Sequence, residues 1–139
     1  MNLDDLVNPI NNQKLDRDNI EYFFGIPNLY FDDEKPLTAT QSEFYNDVKF
    51  PNYDDIEDFG TLLEKSSKSI FVKKLDDEIP FHSNILEAGC GTGQLSIALS
   101  RYNRKIHSID LSKGSLIEAK KFIDKTDIKN VQLYRMNIF

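Results

Sequence analysis

The sequence predicts an α/β fold built on a partial parallel sheet of strand order 3-2-1, flanked by helices and preceded by a small N-terminal appendage. Three observations predict it. From residue 61 onward, helical and strand-like hydrophobic periods alternate. A glycine run, Gly89-Cys-Gly91-Thr-Gly93, stands between a strand pattern and a helix pattern. An acidic residue, Asp110, ends the strand pattern that follows. Strand, helix, strand, helix and strand at this spacing imply parallel strands joined by right-handed crossovers.

Each element has its own warrant. Thr61 to Glu78 reads as one amphipathic helix, with Leu62, Leu63, Ile70, Phe71 and Leu75 at helical spacings, ended by Pro80. Asn84 to Ala88 is a short apolar strand that runs into glycines. Gln94 to Tyr102 is a helix whose Leu95, Ala98, Leu99 and Tyr102 recur at i, i+3, i+4 and i+7. Lys105 to Asp110 is the second strand. Ser112 can cap a helix that runs through Thr126, with Leu116, Ala119 and Ile123 facing inward. Val131 to Ile138 is the third strand. Together these make one mononucleotide-binding half of a Rossmann-like, doubly wound sheet.

Three regions follow: 1–35, polar and punctuated by Pro9, Gly25 and Pro27; 36–60, a linker or flap rich in aromatics and acids; and 61–139, the α/β unit. Apolar residues make up 40% of the chain, enough for a core, but no run is long enough to span a membrane. Residues 1–15 lack the basic and apolar regions of a signal peptide. Cys90 is the only cysteine, so no internal disulfide forms and no cysteine cluster can hold zinc. These features favour the cytoplasm. Charge is divided: residues 1–83 carry a net -10 and residues 84–139 a net +4. The lysines at 113, 120, 121, 125 and 129 read as a solvated helix face rather than a nucleic-acid footprint.

The glycine run carries the chemistry. Glycine lets the chain turn sharply and lets backbone approach a ligand closely. Dinucleotide enzymes use a related G-x-G-x-x-G loop in the same place. Here the spacing is G-x-G-x-G, and Glu87 lies immediately upstream. A buried carboxylate repels a pyrophosphate in a low dielectric but suits a cationic ligand. Asp110 lies somewhat under the usual ~20 residues beyond the loop and can accept from both ribose hydroxyls. It can equally cap the helix that begins near Ser112.

Ile85-Leu-Glu-Ala-Gly-Cys-Gly-Thr-Gly-Gln-Leu-Ser resembles the first motif of class I S-adenosylmethionine-dependent methyltransferases, and Ser108-Ile-Asp-Leu-Ser their second. The resemblance covers about 55 residues, to the chain end. It implies S-adenosyl-L-methionine as cofactor. It places Glu87, Gly89, Cys90, Gly91 and Gly93 around the methionine part, Asp110 on the ribose and Leu111 against the adenine. Asn137 stands where the family often has an aspartate, and its amide oxygen can accept from the adenine amino group, with the Ile138 N–H meeting the ring. The N-terminal stretch Leu6 to Leu15, with Gly25 to Leu29, resembles a degenerate zinc-ribbon module found fused to bacterial methyltransferases. Asn8 and Asn11 stand where its thiols would be, so no metal is expected.

No catalytic residue is named. Cys90 has no histidine base nearby in sequence, and His82 and His107 lack metal-ligand spacing. Phe44, Tyr45, Phe50 and Tyr53 read as packing aromatics ahead of a cofactor flap. The methyl acceptor is unidentified, a small molecule ahead of nucleic acid given the acidic first half. A non-catalytic fragment or binding module and a nicotinamide-dependent oxidoreductase are the alternatives. Order 3-2-1 leaves the strand of Ile85 and Leu86 as an open edge. Cover is expected from the N-terminal region, a second copy or a separate chain.

Overall fold

The computed structural model describes residues 5–7, 12–30 and 51–138. In chain order the elements are β1 (Glu21–Phe23), β2 (Ile26–Asn28), α1 (Phe59–Ser67), α2 (Ile70–Glu78), β3 (Asn84–Ala88), α3 (Gln94–Leu99), β4 (Lys105–Asp110), α4 (Lys113–Thr126) and β5 (Val131–Arg135). They form a five-stranded sheet of order β1-β2-β5-β4-β3. The expected parallel order is present as β5-β4-β3, in register from Asn84↔Lys105 to Ala88↔Ile109 and from Ile106↔Val131 to Asp110↔Arg135.

The N-terminal appendage does more than the sequence reading allowed. Its strands β1 and β2 form an antiparallel hairpin closed by Phe24 and Gly25, both at positive φ. This backbone suits a two-residue hairpin turn. The hairpin docks on β5, with Asn28 opposite Arg135 and Leu29 N–H donating to the Arg135 carbonyl at 2.8 Å. It therefore lengthens the sheet at the β5 side, and no described residue of the N-terminal region pairs with β3. Among the described residues β3 pairs with β4 alone. Asn8 to Asn11, on which the zinc-ribbon resemblance rests, and Phe44, Tyr45 and Phe50 lie outside the described residues.

Three helix and strand limits are also corrected. The single helix expected over Thr61 to Glu78 is two, because Ser69 turns to extended backbone and caps α2 through Val72 N–H. The break falls in Ser66-Ser-Lys-Ser69, where short hydroxyl side chains compete for the backbone. Ser67 Oγ, for example, donates to the Glu64 carbonyl at 2.7 Å. The re-phasing turns Ile70 and Phe71 outward, 87% and 64% exposed, against the expected inward face. Helix α3 stops at Leu99, short of Tyr102, since Tyr102 and Asn103 adopt left-handed backbone. Tyr102 instead stacks on Phe81 at 4.3 Å. Strand β5 ends at Arg135, before Ile138.

One face of the sheet carries the main core. Ile106, Val131 and Leu133 pack with Leu62 of α1, Ile97 of α3, and Leu116, Ala119, Phe122 and Ile123 of α4. The other face carries a small cluster, Leu29, Ile109 and Tyr134, covered by Leu6, Leu15, Ile20 and Met136. The helix lysines are locally paired, Lys120 with Asp124, Lys121 with Glu118 and Lys129 with Asp127, as a solvated face requires. No helix is long and apolar enough to cross a membrane among the described residues.

Candidate cofactor-binding site

The glycine loop leaves the carboxyl end of β3 and folds back over β4: Gly89 and Cys90 N–H both donate to the Ile109 carbonyl, at 2.9 and 3.0 Å. Gly89, Gly91 and Gly93 all have positive φ. The space around two of them differs. A Cβ on Gly93 would stand 3.1 Å from Ala119 Cβ, so this glycine lets the loop approach α4. A Cβ on Gly89 would meet nothing within 4 Å, so that side of the loop faces open space.

Asp110 binds the loop together. Its Oδ2 accepts from Gly91 N–H at 2.7 Å and its Oδ1 from Ser112 N–H at 2.8 Å. Asp110 therefore ties down the residue that caps the helix rather than capping it, since the N-cap is Ser112 itself, and each carboxylate oxygen of Asp110 retains a lone pair. Ser112 in turn caps α4. Leu111 is half-buried, and its carbonyl accepts from Arg135 Nε at 3.0 Å. Asn137, half-buried, and Ile138, exposed, follow the end of β5 beside Asp110, whose carbonyl accepts from Met136 N–H at 3.0 Å. The expected site residues therefore come together along the carboxyl ends of three adjacent strands.

Glu87 is half-buried in the row before the loop. Burial pushes its carboxyl up, hydrogen bonds from Ser96 pull it down, and the Asp110 charge adds to the rise. Neither Glu87 nor Asp110 has an ion-pair partner among the described residues. Two carboxylates without a cation, beside a loop with open space at Gly89, fit a ligand that carries positive charge and hydroxyl donors. Cys90 is different: its side chain is 5% exposed within the core, and burial pushes its thiol well up. Only its backbone is left to face a ligand.

The sequence reading missed two groups. Residues 51–53 strap the loop from outside. Thr92 Oγ1 donates to the Pro51 carbonyl and Gln94 Nε2 to the Asn52 carbonyl, both at 2.5 Å, while Tyr53 O–H donates to the Thr92 carbonyl at 2.7 Å. Tyr53 stacks on Phe122 at 4.5 Å, as a packing aromatic does, and burial raises its phenol. Their spacing in sequence, about forty residues from the loop, gives no local signal. The second group is Ser96 and Ser108, buried beside Glu87. Inward alternation of Ser108 with Ile106 on β4 is the only trace of it in the sequence.

His82 is exposed at positive φ, and His107 meets Tyr134 O–H at 3.2 Å on the far face of the sheet. No group of potential metal ligands occurs among the described residues. Two cavities of about 500 Å³ lie elsewhere, one between the hairpin and α4, the other across the amino ends of β3 to β5. Neither touches the loop. Topology places the site better than volume does, because open α/β sheets bind at the carboxyl ends of their strands.

A glycine loop after the first parallel strand, an acid before it and an acid ending the next strand form the arrangement on which the resemblance to class I S-adenosylmethionine-dependent methyltransferases rests. Residues 72–138 match the family model described as tRNA (Uracil-5-)-methyltransferase. The chain is 38% identical over 56 residues to the tRNA/tmRNA (uracil-C(5))-methyltransferase of Aggregatibacter aphrophilus, covering 40% of this chain and 15% of that protein. It is 27% identical over 81 residues to the ribosomal protein L11 methyltransferase of Clostridium botulinum, covering 58% of this chain and 26% of that one. Among solved structures, an SAH-bound methyltransferase of Podospora anserina superposes with a TM-score of 0.43 at 17% identity, covering 74% of this chain and 43% of the other. The chain thus spans a minor part of the length of the curated relatives it matches.

Proposed function

We propose that this chain binds S-adenosyl-L-methionine and supplies the cofactor half of a methyltransferase. The observation that carries the reading is the pairing of two carboxylates, neither matched to a cation among the described residues, with a G-x-G-x-G loop tied to Asp110. When bound, the cofactor supplies an electrophilic methyl group on a sulfonium. Glu87 holds the cationic methionine end, Gly89, Cys90, Gly91 and Gly93 offer backbone, Asp110 accepts from the ribose, and Leu111, Asn137 and Ile138 meet the adenine. The protein's part in catalysis is proximity and orientation, which can contribute roughly 7–11 kcal/mol in favourable cases. No base is assigned.

The relatives support this division. By their names one acts on uracil in tRNA and the other on a ribosomal protein, and similarity to both supports a shared cofactor half rather than a shared acceptor site. The acidic N-terminal half supports a small-molecule acceptor ahead of nucleic acid, and a lone, buried Cys90 supports a cytoplasmic location.

Calorimetry with S-adenosylmethionine, S-adenosylhomocysteine and NAD tests the reading. The first two are expected to bind and NAD is not. In Asp110→Ala each lost hydrogen bond to the charged group costs about 1.5–3 kcal/mol of affinity, not additively. NAD binding in preference, or unchanged affinity in the variant, overturns the assignment.

We also propose that the edge of β3, unpaired among the described residues, is covered in the working protein by a second copy or a further polypeptide, as unpaired apolar edges invite association. Leu86, 62% exposed on that strand, supports this. Light scattering is expected to show association that grows with concentration. A clean monomer with slow amide exchange along Ile85 to Glu87 refutes it.

A further inference from the structure

Ser96 and Ser108 are each 0% exposed, in a region otherwise built from Ile97, Ile106 and Leu99. A buried hydroxyl destabilises unless it is hydrogen-bonded. Here the two Oγ atoms are 2.5 Å apart, and Ser96 Oγ also meets Glu87 Oε2. The order of donation follows from chemistry. A carboxylate only accepts, so Ser96 donates to Glu87, and Ser108 donates to Ser96. The chain of hydroxyls runs from β4 through the first turn of α3 to the acid on β3.

We infer that Ser96 and Ser108 are positioning residues for Glu87, fixing its carboxylate beside the glycine loop to receive the cationic end of S-adenosylmethionine. This rests on the cofactor reading above and adds to it the groups that hold the acid in place. The need for them is electrostatic. Glu87 faces Asp110 at the end of β4, whose charge opposes a second one nearby, and Cys90 in the loop, a buried and neutral thiol. From α3 it faces only Ser96, through both its hydroxyl and its backbone N–H. No cation compensates the carboxylate among the described residues. The two hydroxyls stand in for one until a cationic ligand arrives.

The simpler alternative is that Glu87 and Ser96 merely stabilise the start of α3. The two roles separate on a titration. Carbon-13 NMR of the Glu87 carboxyl in the full chain, without ligand, reads its protonation directly. Removing the Ser96 hydroxyl in Ser96→Ala is expected to raise the Glu87 midpoint by about one pH unit. Ser108→Ala moves it in the same direction by less, because it removes only the polarisation of Ser96. A cation-binding carboxylate loses affinity as pH falls through its pKa. In calorimetry, the pH at which S-adenosylmethionine affinity falls should therefore move upward in step, and Glu87→Gln should abolish that pH dependence. If Ser96→Ala does not fold, Ser108→Ala carries the test alone. Lower thermal stability with an unmoved Glu87 titration in the folded variants overturns the inference. A shifted titration in a protein that fails to bind S-adenosylmethionine refutes the cofactor role, along with the reading beneath it, and leaves only the hydroxyl chain.

Discussion

The two faces of the sheet are built on different terms. On one, all four helices meet Ile106, Val131 and Leu133 in a continuous core. On the other, the N-terminal segment covers Ile109 and Tyr134 near β5, while Leu86 on β3 stays 62% exposed. Strand alternation explains the division: Ile85 and Glu87 turn to the helix face, and Asn84, Leu86 and Ala88 turn away. Ser96, Ser108 and Thr92, the buried hydroxyls nearest the candidate site, all lie on the closed side. Among the described residues, all the helices that pack on the sheet pack on the closed side.

The largest expected effect tests the closed side. Arg104 is completely buried and gathers α2 onto the sheet: it donates to Asp76 Oδ1 at 2.6 Å and to the Asp76 and Ile79 carbonyls at 2.7 and 2.6 Å. Arg101 also pairs with Asp76. Arg104→Ala leaves those acceptors buried, and breaking a buried pair from one side costs about 3–5 kcal/mol. Urea unfolding monitored by circular dichroism checks this. A loss below about 1 kcal/mol would show that water reaches the site and that this side is less closed than described.

A smaller effect sharpens the contrast between faces. Leu62 is 0% exposed under the helices, whereas Leu86 stands on the bare face. Leu62→Ala is expected to cost about 2–5 kcal/mol through lost burial and a residual cavity. Leu86→Ala should stay within about 0.5 kcal/mol in dilute solution, as exposed substitutions do. Equal losses would mean that Leu86 is buried in solution and that the open face is already occupied.

Legibility in the sequence followed locality. Strands β3 and β4 and helix α4 were read with their observed limits, because each is set by a short periodic run with a cap or glycine at its end. The glycine loop, Glu87 and Asp110 were legible for the same reason: a sharp turn and a flanking acid are local chemistry. The break at Ser69 was not, since the apolar spacing of Ile70 and Phe71 continued through it while backbone capping decided otherwise. Nor was the hairpin of β1 and β2, whose turn places Phe24 rather than asparagine or aspartate at positive φ.

By itself, then, the sequence determined the parallel order of β3, β4 and β5, the position of the loop and the acids that flank it. Only the tertiary structure decided what those acids touch. That Asp110 ties Gly91 to Ser112, that Glu87 rests on Ser96 and through it on Ser108, and that the strap from Pro51 to Tyr53 holds Thr92 and Gln94 depend on contacts across as many as 42 residues. Which edge the hairpin joined was settled in the same way. Periodicity reports which side of an element is buried, but it carries no information on which distant group buries it, and a buried hydroxyl or carboxylate takes its role from that partner.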